Sequence, residues 1–329
     1  MKMYHLTMTA VLAVTMVIFP SLGLLAHPAK SEREPEEKKL ITESVGGAFF
    51  DVLDTSSGEV TRYSERDYLF GVVAAEMPAS YPSESLKAQA VASYTVACKR
   101  RAAERANPDE SMLGADITSD YTIDQAFITR EKARENWGEA AERYENKLDA
   151  AIDSVLGEVL TYEGEIAETL FFAISNGKTE YSENVFSDSY PYLISVDSAG
   201  DLTAPGYLTT VSYSVDEFKK ICSENGIALG DDPAGFVGGR SLTDAGQVSQ
   251  QTIGDKTLSG KEIRSIFSLR SATFDISFAD DIFTFTVRGY GHGVGMSQYG
   301  AKYMAEQGCG YEEILNWYYP GCELVQYVI

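Results

Sequence analysis

Basic residues are scarce in this chain. Its 329 residues include 27 Lys+Arg against 49 Asp+Glu, a formal net charge of -22. A nucleic-acid binder needs a basic stripe, and a protein held electrostatically on anionic lipid needs a basic patch; the balance argues against both. Histidine and cysteine are scarcer still, at three and four. That excludes a multi-metal or disulfide-dense design. Cys98, Cys222, Cys309 and Cys322 are widely spaced with no C-x-x-C. Cys98 falls in a helical pattern and reads as a buried apolar side chain. Cys309 and Cys322 could pair across a C-terminal loop or remain two thiols. Internal repeats and long low-complexity tracts are missing too. The 44% hydrophobic and 23% charged residues are ordinary for a folded protein long enough for one large domain or two average ones. What remains is a globular enzyme or binding module relying on few special groups.

Charge is also missing from residues 6–26, LTMTAVLAVTMVIFPSLGLLA. Such a run is long enough to span a bilayer as a helix. One reading is an uncleaved anchor over residues 1–27. The other is a signal peptide cleaved near Ala26. The length of the run and the missing A-x-A pattern favour the anchor, while Pro20, Ser21 and Gly23 keep cleavage open. Either way the bulk of the protein is expected outside the cytoplasm. A charged linker, KSEREPEEKK and its neighbours, is expected over 28–44, and a folded ectodomain over 45–329.

Within the ectodomain, AFFDVLD and EVTRYS flank the turn signal TSSG and predict a β-hairpin. A helix is predicted from about Glu65 to Glu76, stopped by Pro78. Ser83 is read as the N-cap of a long helix ending in basic residues near Ala106. Residues 107–127 read as loop, and about Thr129 to Ser154 as one polar helix. A hairpin is expected around Glu163–Gly164. Residues from about 191 to 280 read as a strand-rich insert with helices near Val215–Asn225 and Ser259–Leu269. The strand IFTFTVRG leads to the Gly-rich GYGHGVGMSQYG, then a helix, EEILNWYY, and a last strand near Glu323–Val328. The fold class is α+β, with mixed helices and short-stranded sheets and the inserted subdomain completing a substrate cleft.

Four constellations can carry chemistry. Glu76 in VVAAEMPASYP is a carboxylate in an apolar stretch at a helix C-terminus. Burial and the negative end of the dipole both raise a carboxyl pKa, which suits a general acid. The alternative is an exposed Glu on a polar helix face. Gln89 and Ser93 are i,i+4 and share a face that could border the same cleft. FFAISNGKTE delivers Ser175, Asn176, Gly177 and Thr179 into a turn suited to hydrogen bonding a substrate or its own backbone. As a nucleophile Ser175 would need His292, since His5 and His27 lie outside the folded part; no G-x-S-x-G elbow is present. In GYGHGVGMSQYG a dinucleotide fingerprint fails on spacing and on the lack of a second βα unit. His292, Gly293, Ser297 and Gln298 are therefore taken as candidate substrate contacts. His292 has no companions that would make it a metal ligand.

Five segments together resemble the stage II sporulation protein D family and its relatives, the amidase enhancers. They are RDYLFGVVAAEMPASYPSESLKAQAVASYTVA, ETLFFAISNGKTEYSENVF, PYLISVDS, LSGKEIRSIFSLRSATF and GYGHGVGMSQYGAKYMAEQGCGYEEILNWYYPGCEL. The resemblance implies a lytic transglycosylase that cuts peptidoglycan glycan strands between N-acetylmuramic acid and N-acetylglucosamine. The family's catalytic Glu in A-E-M-P falls on Glu76, acting as acid to the leaving oxygen and base to the muramic C6 hydroxyl. It also implies stem-peptide-free glycan as substrate, and as partners an amidase (stage II sporulation protein P) and a membrane protein (stage II sporulation protein M). No cofactor is implied. The chain departs from the family at Ser93–Tyr94–Thr95–Val96, where many members have A-R-T-Y. It departs again at DITSDYTIDQAF (116–127), which corresponds to a zinc-binding stretch in some members and here holds no Cys or His. No zinc is expected there, so other contacts must hold the loop. The competing reading is a glycan-binding amidase enhancer that cuts nothing.

Overall fold

The computed structural model of the protein describes residues 40–42, 49–120 and 122–328. The expected anchor over 1–27, and the linker over 28–44 apart from 40–42, lie outside these residues. Among the described residues no helix is long and apolar enough to cross a membrane. Leu40–Thr42, at the end of the expected linker, pairs in parallel with the last strand, Glu323–Val328.

The predicted hairpin forms from Phe49–Asp54 and Glu59–Ser64. Helix α1, Glu65–Glu76, starts where the Ser64 hydroxyl accepts the Asp67 N–H. It stops at Met77, which is extended ahead of Pro78, as that residue's ring requires. Helix α2, Ser83–Ala106, begins at its expected cap, so the cap lies one residue earlier, at Pro82. Pro82 is non-helical at ψ 149°, and its carbonyl accepts the first helical bond, from Leu86. Ser83 is thus the first helical residue and not the cap.

The expected single polar helix is two, α3 (Arg130–Trp137) and α4 (Ala141–Asp153). The break falls at Gly138, whose φ of +53° only glycine adopts readily. Both stay attached to α1 because Arg130 pairs with Asp67, Glu145 and Asp149 at 3.1–3.3 Å. The hairpin Glu158–Tyr162/Glu165–Ile166 turns through Glu163 and Gly164, both at positive φ, as a two-residue turn matching strand twist requires.

Helix α2 is buried on nearly every side between residues 85 and 98. Its Ala, Ser and Thr side chains let α1, α4 and the Glu158–Tyr162 strand approach closely. They are the centre of a first core that takes in Phe50, Tyr68, Leu148, Ile314 and Tyr319. A second core lies between two three-stranded sheets and helices α5 (Val215–Glu224) and α6 (Gly260–Ile266). Its centre is a stack of phenylalanines, with Phe218 and Phe283 at 4.1 Å between ring centroids. The packed residues run from Val211 to Val287. IFTFTVR, Ile282–Arg288, is the middle strand of one of its sheets, while Tyr192 and Leu193 belong to the first core. Helices α7 (Gln298–Glu306) and α8 (Tyr311–Tyr318) return to the first core. The architecture is α+β, as the sequence predicts.

Candidate active site

Glu76 is the last residue of α1 and is half-buried. Its Oε1 accepts the backbone N–H of Ala126 at 2.9 Å, and its Oε2 accepts the Gln298 amide at a long 3.4 Å. Burial raises its carboxyl above the ordinary range, and these two bonds offset only part of the rise.

Ala126 belongs to the loop 116–127, and the structure shows what holds that loop. Ile117–Thr118 adds a short parallel strand to Val52–Leu53. Asp116 takes a two-pronged bond from Arg105 and also accepts the Asp51 N–H. Asp124 accepts the Thr118 N–H and pairs with Arg100. The Gln125 amide donates to the Ser93 carbonyl at 3.1 Å. Phe127 then stacks on Tyr68 and lies over Gly71, where a Cβ would run into its ring and the Ile128 carbonyl. Gly71 therefore allows the close approach that brings Ala126 to Glu76. Among the described residues no group of three or more His, Cys, Asp or Glu is arranged to hold a metal ion.

Gln298 opens α7 directly after the two-residue strand Met296–Ser297, which pairs with Phe171–Phe172. Its amide nitrogen also reaches Gln89 Oε1 at 3.4 Å, and Gln89 donates to the Ser93 hydroxyl at 3.0 Å. Glu76, Gln298, Gln89 and Ser93 are thus one hydrogen-bonded row. Gln89 and Ser93 are fully buried, so they order Gln298 and are not placed to touch a ligand.

The other candidate residues are placed elsewhere. The Ser175 hydroxyl accepts the Gly177 N–H, and the Ser175 N–H donates to Asp201. Asn176 donates to the Ala245 carbonyl and the Thr273 hydroxyl. The Thr179 hydroxyl donates to the Ile194 carbonyl. Ser297 donates to Asp201 and caps α7. Ser175, Thr179 and Ser297 are buried, which removes them as direct substrate contacts. Gly293 is buried as well; its φ of +90° and the Gln247 amide against it leave no room for a side chain. His292 Nδ1 accepts the Val294 N–H, so Nε2 carries the proton and donates to the Phe171 carbonyl. Both ring nitrogens are occupied, and burial lowers the pKa to about 4. Ser175 and His292 have separate partners and no triad geometry.

Sequence reasoning missed Asp201. It is fully buried and gathers the Ser175 N–H and the Ser198 and Ser297 hydroxyls at 2.8–2.9 Å. It also missed Tyr81 and Tyr299, packed edge to face at 6.3 Å with Lys302 over both rings. Tyr299 adjoins Gln298, and Tyr81 lies in the loop after Glu76. An aromatic in each of the motifs that supply Glu76 and Gln298 was the available signal. Asp201 had none.

Chemically, the arrangement is a carboxyl group inclined to keep its proton, held by neutral donors and partly open to solvent. Such a group can protonate a leaving oxygen and take a proton back.

A family profile described as stage II sporulation protein matches residues 54–162, the stretch that carries Glu76. The chain is 34% identical to stage II sporulation protein D of Bacillus amyloliquefaciens, over 95% of this chain and 93% of that one. It is 32% identical to stage II sporulation protein D of Bacillus subtilis, over 98% and 96%. An amidase enhancer of Bacillus subtilis is 27% identical over 79% of this chain, but over only 40% of its own length. Identity of about a third, sustained from end to end, settles membership: this chain belongs to the stage II sporulation protein D family.

Proposed function

We propose that this protein is a lytic transglycosylase acting in sporulation on peptidoglycan glycan strands freed of their stem peptides, with Glu76 as the catalytic acid and base. The observation carrying this reading is the state of Glu76: half-buried, raised in pKa, and bonded only to a backbone N–H and a carboxamide. A glycosidase that uses water needs a second carboxylate to activate it. An intramolecular reaction does not. The Glu76 proton goes to the departing N-acetylglucosamine O4 as the bond from muramic C1 breaks. The muramic C6 oxygen then bonds to C1, and its hydroxyl proton returns to Glu76. The balance is closed without water, and the product carries a 1,6-anhydromuramic end. Gln298 holds the carboxyl in place throughout. The reading places the catalytic domain outside the cytoplasm, tethered by residues 1–27, beside an amidase such as stage II sporulation protein P and a scaffold such as stage II sporulation protein M.

The test is mass spectrometry of peptide-free glycan incubated with the full chain. Anhydro-ended fragments are expected, and Glu76→Gln should reduce their rate of release by roughly a thousandfold. Fragments released at the parent rate by this variant would move catalysis to another residue. The similarity to an amidase enhancer supports a second reading, a glycan binder without turnover. It predicts stimulation of an amidase and no anhydro product with Glu76 intact.

A further inference from the structure

A cavity of about 370 Å³ lies where the two cores meet, away from Glu76. Its wall includes Asn184, Phe186, Gln247, Lys261, Arg264 and His292. Among the described residues no Asp or Glu lines it. Two cations do. Arg264 is half-buried and its Nε donates to the Leu269 carbonyl at 3.4 Å. Lys261 reaches the Val185 carbonyl at 3.4 Å and lies 5.7 Å from the Phe186 ring centre. Among the described residues neither is paired with a carboxylate. The carboxylate behind the wall, Glu180, is fully buried and engaged by Tyr181 N–H, the Asn184 amide and the Thr243 hydroxyl. A half-buried cation without a counter-ion, as Arg264 is, is costly unless a ligand supplies one, and the exposed Lys261 adds a second positive charge at the rim.

The remaining wall selects among anions. The cavity is larger than an inorganic ion needs and falls in the range of small organic ligands. His292, neutral at physiological pH and with both nitrogens engaged, offers only its ring, set edge to face against Phe186 at 5.4 Å. Such faces stack on the apolar side of a sugar ring, while amide groups suit its hydroxyls and acetamide. A short run of contacts links the cavity wall to Glu76: His292 binds the Phe171 carbonyl, Phe172 pairs with Ser297, and Gln298 follows.

We infer that this cavity is a subsite for a carboxylate-bearing sugar, the muramic acid unit whose lactyl carboxylate is free once its peptide is removed, with Arg264 and Lys261 as the anion's partners. The inference rests on the glycan reading above. It gives that reading a physical basis for preferring peptide-free strands, because an amide-linked peptide removes the charge that the two cations require.

The test is calorimetric titration of the full chain with a peptide-free muramic-acid-containing tetrasaccharide. The comparison ligands are its lactyl amide, chitotetraose, lactate and phosphate. The acid form should bind roughly tenfold more tightly than the amide, the size expected of a charge-assisted pair. Arg264→Gln and, at the exposed Lys261, Lys261→Gln should each bring the affinity for the acid form down towards that for the amide, and the Lys261 variant, whose side chain is exposed, separates this effect from any loss of fold at Arg264. Equal binding of acid and amide, or a preference that survives both substitutions, overturns the inference. So does phosphate or lactate binding as tightly as the tetrasaccharide, which would make this a simple anion site. Anhydro products formed without any acid preference would sink this inference alone. Preferential binding without cleavage would sink the transglycosylase reading and leave the subsite standing.

Discussion

Glu76 and Asp201 are two carboxyl groups that burial pushes in the same direction, and they are built for opposite ends. Both pKa values are raised chiefly by desolvation. Asp201 is sealed, with three donors closing on it from three separate segments of chain. Glu76 has two bonds, one of them long, and keeps access to solvent. A raised pKa by itself therefore does not mark a catalyst; a raised pKa on a group open to solvent and held only by neutral donors makes Glu76 the candidate. The division falls between neighbours in sequence. Ser297 turns inward to Asp201, and Gln298 turns to Glu76. One helix start thus serves a buried knot and the partly open carboxyl proposed as the acid.

Removing each carboxylate should break this comparison in opposite ways. Asp201→Ala leaves the Ser175 N–H and two hydroxyls without their acceptor in the interior, and should lower stability by about 4 kcal/mol in urea unfolding. A variant as stable as the parent would mean that the knot carries little. Glu76→Gln should leave urea unfolding at neutral pH no worse than the parent, yet reduce turnover of peptide-free glycan by roughly a thousandfold, the scale of lost general acid catalysis. Loss of both stability and turnover in Glu76→Gln would erase the distinction between the two sites. Next in size is Ser297→Ala, which removes a helix cap and one Asp201 donor and should cost about 1–2 kcal/mol. Turnover at a temperature well below melting should be retained.

Much of this was legible before any coordinates. The stop of α1 follows from Pro78, the two hairpins from their turn residues, and the burial of Cys98 from its place in a helical pattern. Glu76 and Gln298 lie in motifs quotable from the sequence, and their meeting needed only that α1 and α7 pack on the same helix. Three things were hidden. A single polar helix was expected over 129–154, because a break at Gly138 depends on one backbone angle. Asp201 sits in SAGD, where nothing signals that two distant segments, carrying Ser175 and Ser297, will join the local Ser198 in converging on it. Gln89 and Ser93 share a helix face that could border a cleft, and Ser175 and Thr179 lie in a turn suited to bonding either a substrate or its own backbone. Periodicity cannot distinguish a polar side chain facing a cleft from one bonded to buried backbone, and here the buried outcome prevailed. The cavity was invisible for a related reason: Lys261 and Arg264 lie far in sequence from His292, and only the packing of the two cores brings them together.

The smallest expected effect is the most discriminating. Gly71→Ala lies on the buried side of α1 and touches neither carboxylate, but its methyl group would displace Phe127 and, with it, Ala126. The Ala126 N–H favours the ionised form of Glu76, so weakening this bond should raise the Glu76 pKa further above 4.5. In the proposed reaction the acid acts when protonated, so turnover should fall as pH rises through that pKa. The alkaline limb of kcat/KM should therefore move to higher pH in Gly71→Ala, with a modest loss of stability. Stability follows the same sign. A group whose folded pKa lies above its unfolded value stabilises the fold relative to higher pH, and that contribution is lost as pH rises through the folded pKa. In Glu76→Gln this part of the pH dependence should vanish, while the part owed to Asp201 remains. If Gly71→Ala left the limb where it was but reduced stability, the loop would support the fold without tuning the acid. A limb that moved the other way would mean that the Ala126 bond is not what restrains Glu76.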